Sequence, residues 1–197
     1  MGFLLGFLFA LLLWILSSVA QPGDAGTESQ ACAIDMYGVQ RCGPTMNEDG
    51  YQLPEEGEMI RSFVHTGPIS PESQEGYEIV VDADGTVTIT VTPLGASGDL
   101  AETERTAEEI VRTEEIGPAG VQGLLKALDG CGFYYMPQRG EFTDEDMPVG
   151  GSVSILEVRL DDGTWEVSEA VLEAGDESMF EDCQGLLAKQ FGVTAPT

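Results

Sequence analysis

The chain has 197 residues with 35 acidic and 8 basic side chains, a formal charge of -27. Recognition of nucleic-acid phosphates needs clustered Lys and Arg; two lysines and six scattered arginines exclude it, and a polybasic membrane patch with it. An apolar content of 42% with 8% aromatics is too rich for a wholly disordered chain and fits one folded domain plus tails.

Within residues 1–20, Gly2 to Leu16 read GFLLGFLFALLLWIL, and the segment closes on Ser18-Val19-Ala20 before Gln21. An apolar run ending at a small-x-small site is the pattern of a secretory signal peptide. The rival reading is a retained N-terminal anchor, since the uncharged stretch reaches about 20 residues, enough to span a bilayer. Either reading exports the body of the protein, to the periplasm or the extracellular space, and membrane association follows only if the segment is retained.

The four cysteines, Cys32, Cys42, Cys131 and Cys183, are an even set behind an export signal, so two disulfides are expected. Spacing favours a local Cys32–Cys42 clip and a long-range Cys131–Cys183 tie. Neither a C-x-x-C pair nor histidine partners accompany them, and His65 is the one histidine. A zinc or thioredoxin-type reading is therefore disfavoured.

From 21 to 75 the chain is rich in Gly, Pro, Ser, Glu and Gln and reads as a largely irregular, disulfide-clipped lead, with a short strand at Met59 to His65. A globular domain is expected over 76–193, with a tail at 194–197. Tyr77, Ile79 and Val81, then Val87, Ile89 and Val91, alternate on either side of Asp84-Gly85, a hairpin signal. Residues 99–116 suit a thin-striped helix or a further strand equally. Pro118 then starts a helix whose Val121, Leu124, Leu125 and Leu128 share one face. A second hairpin turns at Asp161-Asp162-Gly163, and a closing helix runs from about Asp176 to Gln190. The tetrad Gln122-Gly123-Leu124-Leu125 recurs as Gln184-Gly185-Leu186-Leu187. The expected fold is α+β: an antiparallel sheet of four to five strands with two helices on one face, built from pseudo-repeated ββα units.

The sequence offers no nucleophile–base pairing, no Walker loop and no dinucleotide fingerprint. The cluster Glu141, Asp144, Glu145, Asp146 lacks the spacing of a calcium loop. No catalytic, cofactor or metal residues are assigned and no cofactor is expected. The candidate contact surface is Phe133, Tyr134, Tyr135 and Met136 with Arg139, residue types enriched where proteins bind. The leading expectation is a non-enzymatic binding module for a protein or small ligand. Its competitors are a secreted hydrolase using two carboxylates and a membrane-tethered accessory protein.

The run GPAGVQGLLKAL, then GFYYMP, an acidic linker, the strand pair VSILEVRL–GTWEV and a closing helix resemble in layout the emfourin-like bacterial inhibitors of thermolysin-like metalloproteases. The likeness covers about 115 residues. It implies a small α+β inhibitor domain and transfers no role to an individual residue.

Overall fold

The computed structural model describes residues 29–34, 38–65, 75–93, 109–141, 153–172 and 174–193. The signal or anchor segment, residues 94–108, the acidic loop from 142 and the tail at 194–197 lie outside them. Among the described residues the fold is α+β, with two α-helices and two antiparallel sheets. Three strands, β1 (Ser29–Ile34), β2 (Gln40–Asn47) and β3 (Gly50–Tyr51), form a small sheet. Strands β4 (Glu58–His65), β5 (Gly76–Asp82), β6 (Thr86–Thr92), β7 (Ile110–Glu115), β8 (Val153–Leu160) and β9 (Gly163–Ser168) form the second, in the order β7-β6-β5-β4-β8-β9. Helix α1 (Gly117–Gly130) follows β7, and α2 (Ala174–Gln190) follows β9.

Alternation builds the large sheet. Tyr77, Ile79 and Val81 pair with Val91, Ile89 and Val87 across the β5–β6 hairpin, and all but Val91 are buried. The turn is closed by Asp84, whose carboxylate accepts the Thr86 N–H at 2.8 Å; that bond holds the carboxyl below its ordinary pKa. Successive strand residues point to opposite faces, so Thr88, Val80, Arg61 and Glu157 share the other, partly exposed side of the sheet. The inner face meets Val121, Leu124, Leu125 and Leu128 of α1 and Phe180, Cys183 and Leu187 of α2 in one core. Buried Gln184 lies over the sheet, its Nε2 donating to the Ile155 carbonyl at 3.3 Å.

Two expectations are corrected and one open choice is decided. The sheet is larger than four to five strands. Residues 21–75, expected to be largely irregular, carry β1 to β4, and β4 is central, paired to both β5 and β8. The folded unit therefore starts upstream of residue 76. The ambiguous stretch before α1 forms strand β7 at Ile110–Glu115; because it is a sheet edge exposed along its whole length, no alternating burial marks it. The ββα order thus occurs twice, with β7 inserted after the first hairpin and β4 separating the two hairpins.

Both disulfides pair as the spacing suggested, Cys32–Cys42 and Cys131–Cys183. The first joins residues directly opposed on β1 and β2; the second ties α2 to the segment leaving α1, with Cys183 fully buried. Such bonds persist in oxidising compartments. Among the described residues no helix is long and apolar enough to cross a membrane.

Candidate functional site

Helix α1 ends on Asp129-Gly130, and the chain reverses through Gly132 at φ 85°, a left-handed conformation that glycine adopts without steric cost. The reversal delivers Phe133–Tyr135 as a single 3₁₀ turn against the small sheet. Phe133, Tyr134 and Met136 point inward and are at most 1% exposed. The Tyr134 ring meets Phe133 at 5.2 Å and Trp165 at 5.5 Å, both edge-on, with Tyr51 at 6.4 Å. It is the hub on which small sheet, helix and large sheet converge. Of the five expected contact residues, three are therefore core. Arg139 turns towards β9 and pairs with Glu166 at 3.0 Å. Tyr135 reaches a surface cleft, and the structure does not bring it together with Arg139.

That cleft, about 140 Å³, opens between the small sheet and the end of α1. Strand β1 contributes Gln30 and Ala31; β2 contributes Gly43, Pro44 and Met46; Tyr51, Asp129 and Tyr135 complete the lining. Its frame is cross-linked. Gln30 Nε2 donates to the Gly43 carbonyl at 3.0 Å, and the Cys32–Cys42 bond joins the same two strands. Trp165 Nε1 donates to the Cys42 carbonyl at 3.3 Å, and the Thr45 N–H donates to Asp162 Oδ2 at 2.6 Å.

Polarity in the cleft centres on Asp129. The Tyr135 hydroxyl donates to Asp129 Oδ1 at 3.2 Å. Burial, then the neighbouring Asp129 carboxylate, pushes the Tyr51 phenol up to about 12, and the same two causes raise Tyr135. Tyr134 is raised further, by burial first and then by Tyr51 and Asp129. All three are protonated phenols at neutral pH, able to donate one bond and accept others. The walls contributed by Ala31, Pro44 and Met46 are apolar. The arrangement sets fixed acceptors above an apolar rim, on a stapled frame.

Sequence reading missed Tyr51 and the β1–β2 residues, because the lead looked irregular, and it missed Asp129 at the end of α1. One signal was available. Asp129 is an acid in the last turn of a helix, where Lys or Arg suits the dipole, and no basic residue occupies that turn. His65 stacks on Phe63 at 5.8 Å on β4, away from these residues in sequence and strand. Among the described residues no group of three or more His, Cys, Asp or Glu could hold a metal ion. No protein-family model matches the chain, and no curated protein matches it either.

Proposed function

We propose that the protein is an exported, non-enzymatic binding module working in the periplasm or outside the cell, and that the cleft bounded by Tyr51, Asp129 and Tyr135 is where it engages its partner. The observation that carries this reading is the construction of that cleft. Two phenols and a carboxylate meet an apolar wall on a frame cross-linked by a disulfide and by side-chain bonds from the large sheet. A pre-ordered surface loses little freedom on binding, so its contacts convert efficiently into affinity. The two disulfides suit an extracytoplasmic setting. Inhibition of a thermolysin-like protease is one form such binding takes, in keeping with the layout of the C-terminal two-thirds.

The test is affinity capture from the native exported fraction with wild type and with Tyr135→Phe, both checked for equal melting temperature. Wild type is expected to retain a partner that Tyr135→Phe retains less. Steady-state assays of a thermolysin-like protease with added protein address the inhibitory form. Turnover of a substrate by the purified protein itself would refute the non-enzymatic reading.

A further inference from the structure

We infer that the cleft receives the guanidinium of an arginine on a basic segment of the partner. This rests on the binding-module reading above and names the chemistry of the same site.

The first observation is electrostatic. Asp129 stands in the last turn of α1, where the helix dipole already concentrates negative potential. The dipole at that end favours a cation arriving from outside. Among the described residues the ion pairs engage Arg61, Arg112, Arg139 and Arg159 with glutamates elsewhere, and no Lys or Arg pairs with Asp129. The net charge of -27 adds a long-range field that steers basic partners towards the protein.

The second observation is the balance of donors and acceptors. Tyr135 donates a hydrogen bond to Asp129, leaving phenol lone pairs and carboxylate lone pairs as acceptors. A guanidinium carries five N–H donors and no acceptor, in a planar fork matched to a carboxylate. Behind the cleft the Tyr134 hydroxyl, 1% exposed and beside Tyr51, Asp129 and Tyr135, has no hydrogen-bond partner.

The third is size and shape. About 140 Å³ is well below the roughly 300–1,000 Å³ of pockets that enclose whole small ligands, and suits one side-chain head. Tyr51 and Tyr135 line the cleft beside Pro44 and Met46, and a flat cation is attracted to the face of an aromatic ring.

The experiment titrates the exported chain with three blocked tripeptides, Gly-Arg-Gly, Gly-citrulline-Gly and Gly-Lys-Gly, followed by NMR shifts and calorimetry. Citrulline keeps the shape of arginine and removes its charge. The expected result is saturable shifts at Gly43, Tyr51 and Tyr135, with the citrulline peptide bound about tenfold more weakly, as befits loss of a charge-assisted pair, and the lysine peptide in between. Asp129→Asn should erase the arginine-over-citrulline preference, and Tyr135→Phe should weaken arginine binding while keeping the preference. Equal affinity for arginine and citrulline, a preference surviving in Asp129→Asn, or shifts confined to other surfaces would overturn the inference. If capture from the exported fraction succeeds equally with wild type and Asp129→Asn, the binding-module reading stands and the arginine site falls. If the arginine peptide binds as described and no partner is ever captured, the reverse holds.

Discussion

Gln122 grips Tyr51 through both ends of its amide: Nε2 donates to the Tyr51 carbonyl at 2.7 Å while Oε1 accepts from the Tyr51 N–H at 3.0 Å. A two-residue strand has too few ladder bonds of its own to stay in place, and the amide serves as its missing neighbour. Gln184, at the equivalent place in the repeated tetrad, likewise ties α2 to strand backbone through the Ile155 carbonyl. Two residues further on come the leucine pairs, of which Leu125 and Leu187 are fully buried. The tetrad therefore has a physical reading at each occurrence: a glutamine that docks the helix on a strand, followed by leucines that fill the core.

Replacing Gln122 with Leu leaves both Tyr51 backbone groups unpaired in a part-buried place. Such a loss costs about 1–3 kcal/mol, and urea denaturation should register it. Hydrogen exchange at Tyr51 should quicken more than at Ile79 in the core. Gly50→Ala should act in the same direction, because a Cβ there would collide with the Gln122 amide and Gly50 holds φ 113°. Unchanged stability in both variants would show that β3 is held by something else.

The two disulfides should differ in accessibility and in worth. Cys32 is exposed on an edge strand, whereas Cys183 is fully buried in the core. Mild reductant followed by alkylation and peptide mapping should label Cys32 and Cys42 first, with the globular core still folded. Removing Cys131–Cys183, which closes a separation of 52 residues, should cost about 4 kcal/mol in the loop-entropy model. Removing Cys32–Cys42, with a separation of 10, should cost about 3 kcal/mol and loosen the cleft. Simultaneous reduction of both bonds would contradict this ordering.

What was legible in the sequence was whatever is half-buried along its own length. The β5–β6 hairpin alternates around Asp84-Gly85, and α1 repeats its leucines at helical spacing. Strand β4 was legible as a short strand at Met59 to His65, but its central place was not: its inward face carries Ser62, and a register shift lies between Glu58 and Ile60. Strand β7 stayed ambiguous between helix and strand because it is exposed throughout. In the candidate site Tyr135 lay within the aromatic run that composition singled out. Asp129 meets it through the reversal at the end of α1, but Tyr51 joins them only through tertiary packing, as its 71-residue separation from Gln122 illustrates. No local period encodes a contact of that kind.

Self-repulsion among 35 acids should make stability depend on salt. At low ionic strength the carboxylates repel over long distances; at about 0.1 M the screening length falls to about 10 Å. The melting temperature should therefore climb with added NaCl and level off beyond that range. A flat response would mean that the acids are already compensated, for instance by bound cations, and would also weaken the case for steering basic partners.

Alkaline pH should unfold the protein through its tyrosines. Tyr51 is held at about 12, against an ordinary value of 10.0, by burial and then by Asp129; burial likewise raises Tyr77 and, most strongly, Tyr134. In the unfolded chain these phenols ionise near 10, so above that pH the folded state binds more protons than the unfolded one. Stability then falls as pH rises. The contribution is whole below about pH 10 and is lost as pH climbs through the folded-state value near 12. Tyrosinate absorbance should lag behind that of free tyrosine and then jump as the chain unfolds, in step with loss of near-ultraviolet circular dichroism. Tyr134→Phe removes the phenol most strongly held neutral and a buried hydroxyl with no partner, so the variant should be at least as stable at neutral pH. Its alkaline transition should also move upward. Tyrosines titrating together near 10 with the fold intact would show that these rings are not buried as described.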